Sequence, residues 1–69
     1  MNSNAIVWTS EGLHLNADTC VDVKATTDGT VILGQLGETW LHDLHLKPEH
    51  ARWLAAQLNR AAEESELAR

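Results

Sequence analysis

Three of the four histidines fall within nine residues, in "WLHDLHLKPEH" (40–50), with Asp43 between His42 and His45. Imidazoles and a carboxylate at that density raise the prospect of a metal centre or of acid–base chemistry. Zinc takes three or four ligands converging on one point, often with Cys or carboxylate among them. Alternating neighbours make 40–46 a strand, and an offset of three then sends His42 and His45 to opposite faces. His50 falls on a helix and His14 on another strand. The expectation is four ordinary surface or half-buried imidazoles, with no metal ligands.

Cys20, the one cysteine, is the only thiol nucleophile on offer. Its neighbours Asp18 and Asp22 disfavour a thiolate, so a small packing residue is expected there. The four glycines are dispersed and build no phosphate-cradling loop. Paired carboxylates need a cleft, which one sheet and one helix hardly provide. The residues therefore point to a protein that is not an enzyme and carries no cofactor.

The elements that position these residues are legible from period and turn chemistry. In "TCVDVKATTDGTVILGQL" (19–36), Val21, Val23 and Ala25 alternate with Cys20, Asp22, Lys24 and Thr26, a strand pattern. A type I′ turn at Asp28-Gly29 would close a hairpin pairing Ala25 with Ile32, Val23 with Gly34 and Val21 with Leu36. A weaker hairpin, turning at Glu11-Gly12, would pair Trp8 with Leu15 and Ile6 with Ala17. A three-residue loop over 37–39 would set Trp40 opposite Leu36, with the Trp40 ring covering Gly34. A two-residue loop is the alternative and reverses the faces. From Pro48, "PEHARWLAAQLNRAAEESELAR" is rich in helix formers. Pro48 suits the first turn, Glu49 favours its positive end, and Lys47 offers no side-chain cap. Ala51, Leu54, Ala55, Leu58, Ala61 and Ala62 make one narrow apolar stripe with Trp53 at its flank. Arg60 lies one turn before Glu64, and the acidic last turn is expected to fray.

The expected fold is α+β: a four- to five-stranded antiparallel meander (about 4–46) with one C-terminal helix (about 48–66) packed on one face. The 69 residues make a single two-layer domain. A domain of this size has a thin core, so a twin subunit or tight partner is plausible. "MNSNAIVWTSEG" shows no signal-peptide pattern, no stretch reaches the ~18 apolar residues of a membrane span, and a lone cysteine suits a reducing cytoplasm.

Charge placement gives the functional reading. The net charge of −5 sits wholly on residues 1–46, with six acids and one base; residues 47–69 hold four of each. That sign argues against direct nucleic-acid binding and favours a basic protein surface. On the expected register, the sheet face away from the helix shows Cys20, Asp22, Lys24, Val31, Leu33, Gln35, Leu41, Asp43 and His45. The candidate partner-binding residues are Asp22, Asp28, Glu38 and Asp43 for the negative surface, with Leu33 and Leu41 as apolar anchors. The alternatives are a structural or regulatory homodimer joined through the sheet, and a histidine metal-binding protein.

In size, acidity and single-domain layout the chain resembles the small phage-encoded inhibitors of the anti-CRISPR type, a likeness of general character without a shared motif. That resemblance implies an inhibitor whose acidic sheet occupies a basic nucleic-acid groove on a larger complex, as a partial DNA mimic. "LHLKPEHARWLAAQLNRAA" (44–62) is also similar to a strand-to-helix ending in short actinobacterial proteins of unknown function. Those often carry Thr or Ser where Lys47 stands here.

Overall fold

A computed structural model describes residues 5–68; the expected start of the sheet at residue 4 lies outside the described residues. Five antiparallel strands are followed by one helix. They are β1 (Ile6–Thr9), β2 (Leu13–His14), β3 (Cys20–Thr26), β4 (Val31–Leu36), β5 (Leu41–Leu46) and α1 (Pro48–Leu67). The sheet order is β1-β3-β4-β5, and β2 also pairs with β3. This is the expected α+β arrangement of an open antiparallel sheet with a C-terminal helix.

The expected first hairpin does not form. β1 and β2 do not pair with each other; both lie along β3, with Trp8 opposite Ala25 and Leu13 opposite Val21. They act as one interrupted edge strand. Ser10 spans the break: its N–H donates to the Val23 carbonyl (2.8 Å), and its hydroxyl accepts from the Val23 N–H (2.9 Å). That arrangement avoids positive φ at Glu11, and no non-glycine residue among those described adopts it. The shift in register between Ile6 and Trp8 marks a bulge that turns Trp8 to the helix side.

The β3–β4 turn is also a correction. Thr26 pairs with Thr30 across three loop residues, and Gly29 alone takes positive φ, at 86°. The Gly29 N–H reaches the Thr26 carbonyl at 3.3 Å, and the Thr30 N–H reaches both Asp28 Oδ1 and Thr26 Oγ1 at 3.2 Å. A type I turn with a glycine bulge leaves Asp28 in an ordinary conformation, whereas a type I′ turn would have forced it left-handed. β3 therefore pairs Ala25 with Val31, Val23 with Leu33 and Asp22 with Gly34. The β4–β5 connection differs from expectation in the compensating direction. Its loop is the two-residue alternative, Glu38-Thr39, closed by the Gly37 N–H on the Trp40 carbonyl at 2.9 Å. Leu36 thus faces Leu41 rather than Trp40.

Two changes of parity cancel at β5 and leave β4 alone turned over. Partners directly opposite share a face. The helix side accordingly holds Val21, Val23, Ala25, Val31, Leu33, Gln35, His42, Leu44 and Leu46, joined by Trp8 and Leu13. The other side holds Cys20, Asp22, Lys24, Ile32, Gly34, Leu36, Leu41, Asp43 and His45. The Trp40 ring lies against Gly37, not Gly34, and would collide with any side chain at 37.

α1 runs one residue beyond its expected end. Lys47 contributes no side-chain cap, and Arg60 Nε meets Glu64 Oε2 at 3.1 Å. Ala51, Leu54, Ala55 and Leu58 share an apolar groove with Val23, Val31, Leu33 and Leu46. Beyond Leu54 every described helix residue is exposed. Trp53 is well round from Leu54 and Leu58 on the helix and is 62% exposed, so it turns to solvent and not to the flank of the contact.

Candidate functional site: an acidic sheet face

The face opposite the helix gathers most of the carboxylates that the sequence singled out. Asp22 on β3 and Asp43 on β5 flank Gly34 on the strand between them. A Cβ built at Gly34 would lie 2.6 Å from Asp22 Oδ1 and 3.2 Å from Asp43 Oδ1. Both carboxylates lean over the strand into the space that the glycine leaves, and Gly34 is the one buried residue among those described. Lys24 Nζ holds Asp22 Oδ2 at 2.8 Å, with both side chains about 30% exposed. The pair lies two residues apart on one strand, hence on one face.

The remaining acids extend the same face towards both ends of the sheet. Asp28, in the β3–β4 turn, lines a hollow with Ile6, Thr26, Thr30, Ile32 and His45. Its carboxylate accepts the Thr26 hydroxyl and the Thr30 N–H, and those hydrogen bonds hold it below its ordinary value of 3.8. Glu38, in the β4–β5 turn at the opposite end, shares a hollow with His14, Asp18, Cys20 and Leu36. Leu41, 65% exposed, sits between these ends beside Cys20, Leu36, Asp22 and Asp43. The three hollows measure 140–190 Å³ each. Pockets that enclose small ligands run to about 300–1,000 Å³. The acidic face thus offers relief to a covering surface more than a space to enter.

Leu33 is the candidate that the structure moves. The turned-over β4 puts it on the helix side, in the groove with Leu54 and Leu58. Leu36, which the sequence reading had turned inward, takes its place beside Leu41, and Ile32 joins it on that face. The signal for this was local: Thr26, Asp28 and Thr30 alternate around Gly29, which suits a three-residue turn with mutual side-chain bonds. Val31 and Gln35 move to the helix side with Leu33.

The histidines divide between surfaces. His14 pairs with Cys20, and His45 with Ile32, on the acidic side. His42 is on the helix side with its ring 5.6 Å from the Trp40 ring, and His50 is in the first turn of α1. Among the described residues no three His, Cys, Asp or Glu side chains converge as a metal site would require. No helix among them is long and apolar enough to cross a membrane.

The fold and this surface define a small two-layer α+β domain with one acidic sheet face. No protein family, curated protein or solved structure matches the chain.

Proposed function

We propose that this protein is a non-enzymatic binding module whose acidic sheet face docks on a basic protein surface. Its most concrete form is a small inhibitor that covers a nucleic-acid-binding groove of a larger complex, as the anti-CRISPR resemblance implies. One observation carries the reading: Asp22, Asp28, Glu38 and Asp43, far apart in sequence, line the same side of the sheet. Lys24 offsets Asp22 but no other member of the row. Leu36 and Leu41 supply an apolar centre with carboxylates around it, the usual build of a docking patch. A row of like charges speeds encounter with a basic partner and rejects acidic ones.

The test is capture from bacterial lysate on immobilised protein, with Asp22→Lys/Asp43→Lys as the comparison and circular dichroism to verify its fold. The wild-type protein should retain partners with basic nucleic-acid-binding surfaces. That binding should fall away between about 50 mM and about 500 mM salt, as screening shortens the reach of the charges. Added duplex DNA should compete for the same partners. Equal capture by a folded charge-reversed variant would dispose of the docking role.

A further inference from the structure

We propose that two copies of this chain join through the helix-side face, completing one shared hydrophobic core and leaving both acidic faces outward. Among the described residues no apolar side chain is buried. The chain exposes 5680 Å² of surface. An ordinary compact fold of its 7.6 kDa exposes about 4,300 Å². Its radius of gyration is 14.2 Å, whereas about 11 Å is usual for its length. The surplus of roughly 1,400 Å² per chain, covered in two copies, falls within the roughly 2,000–5,000 Å² of obligate homodimers.

Part of that surplus lies on the helix side of the sheet. Among the described residues α1 lies over the sheet around Val23, Val31, Leu33 and Leu46. Beside it on the same side lies a hollow of 360 Å³ lined by Leu33, Gln35, His42, Asp43 and Leu44. Trp8, Leu13 and Leu44 stand on this uncovered side, 50–60% exposed, and the Trp40 ring, 38% exposed, lies 5.6 Å from that of His42 on the same side. Leu58, the last large residue of the helix stripe, is 61% exposed.

Charge selects the occupant. The paired positions of the helix-side sheet include no Asp, Glu, Lys or Arg. Two copies of a chain with net charge −5 meet few sheet charges there, Asp43 at the hollow being the exception. The opposite side, with its row of carboxylates, would repel its own copy. A second copy is also available in fixed proportion whenever the chain is made. The inference is independent of the proposed function, because it uses the other side of the sheet.

Sedimentation equilibrium and native mass spectrometry on the full chain, from about 1 to 100 μM, test it. The expected mass is twice 7.6 kDa, and the thermal midpoint should rise with protein concentration. Leu44→Arg, which buries a charge in the shared core, should weaken the dimer at least about a hundredfold. Asp22→Lys/Asp43→Lys should leave it intact. A monomer whose midpoint is independent of concentration overturns the proposal, even if Leu44→Arg fails to fold. So does a dimer dissociated by the charge-reversed variant and not by Leu44→Arg.

Discussion

The two faces of the sheet use the same three strands for opposite ends. On the helix side Val23, Leu33 and Leu46 share a groove with Leu54 and Leu58, and the paired positions carry no charged side chain. On the other side the same strands present Asp22, Lys24 and Asp43 around a glycine. A period of two keeps the sets apart: a residue shift in one strand exchanges the faces of that strand and no other. One side thus gathers apolar side chains, and the other gathers charged ones.

That contrast is broken most severely by placing a carboxylate on the wrong side. Leu33→Asp should destabilise the protein by at least about 3 kcal/mol, because the charge enters the groove under α1. Leu41→Asp, at an exposed place on the acidic side, should change stability by no more than about 0.5 kcal/mol. Urea denaturation followed by tryptophan fluorescence measures both. Equal losses would mean that the faces are not distinct in the way described.

The next effect tests the fit of the acidic side itself. Gly34→Ala brings a methyl to 2.6 Å from Asp22 Oδ1 and 3.2 Å from Asp43 Oδ1. The carboxylates must turn aside, at a cost of about 1–3 kcal/mol. In an Asp22→Ala background the closer obstruction is gone, and the same substitution should cost at least about 1 kcal/mol less. A strictly additive double-mutant cycle would show that Asp22 does not fill the space above Gly34.

Much of this contrast was readable in the sequence, and the failures that exchange faces lie in the turns. Strand β3 with Asp22, the helix from Pro48 and the helix stripe follow from spacing alone, whereas the side of Asp43 and Leu41 also depends on the two loops before them. Spacing within a strand fixes which residues share a face, but the number of loop residues fixes which face of the next strand matches it. Asp28-Gly29 reads as a two-residue turn, while Thr26 and Thr30 reach across and enclose a third loop residue. That one residue moved Leu33 to the helix side and brought Leu36 out. The β4–β5 loop then lost a residue relative to expectation and restored β5. The first hairpin failed for a different reason: β3 offered the segment a continuous partner, which local alternation cannot reveal.

The β3–β4 turn sets the relation between the two faces, so weakening it should loosen both together. Gly29 has φ of 86° and open space around the position of a Cβ. Gly29→Ala therefore meets backbone strain and no collision, and should cost about 1 kcal/mol. Gly29→Asn should cost less, since Asn tolerates the left-handed region. An alanine variant as stable as wild type would remove the glycine bulge as the determinant of register.

The smallest effect comes from the charge on Asp28. Hydrogen bonds from Thr26 and Thr30 hold its folded pKa below 3.8. A depressed carboxylate stabilises the fold above its ordinary value, and that contribution is lost as pH falls through the lowered folded value. Wild-type stability should therefore carry an Asp28 contribution at about pH 6 that shrinks below about pH 4. Asp28→Asn keeps an oxygen to accept the Thr30 N–H but never ionises. It should be slightly less stable than wild type at the higher pH, and the gap should close in acid. Subtracting the two urea midpoints at each pH cancels the titration of the other carboxylates. A gap that stays constant down to about pH 2 would mean that the Asp28 charge has no part in holding the turn, leaving Gly29 and the Thr26–Thr30 bonds as the source of the register that separates the two faces.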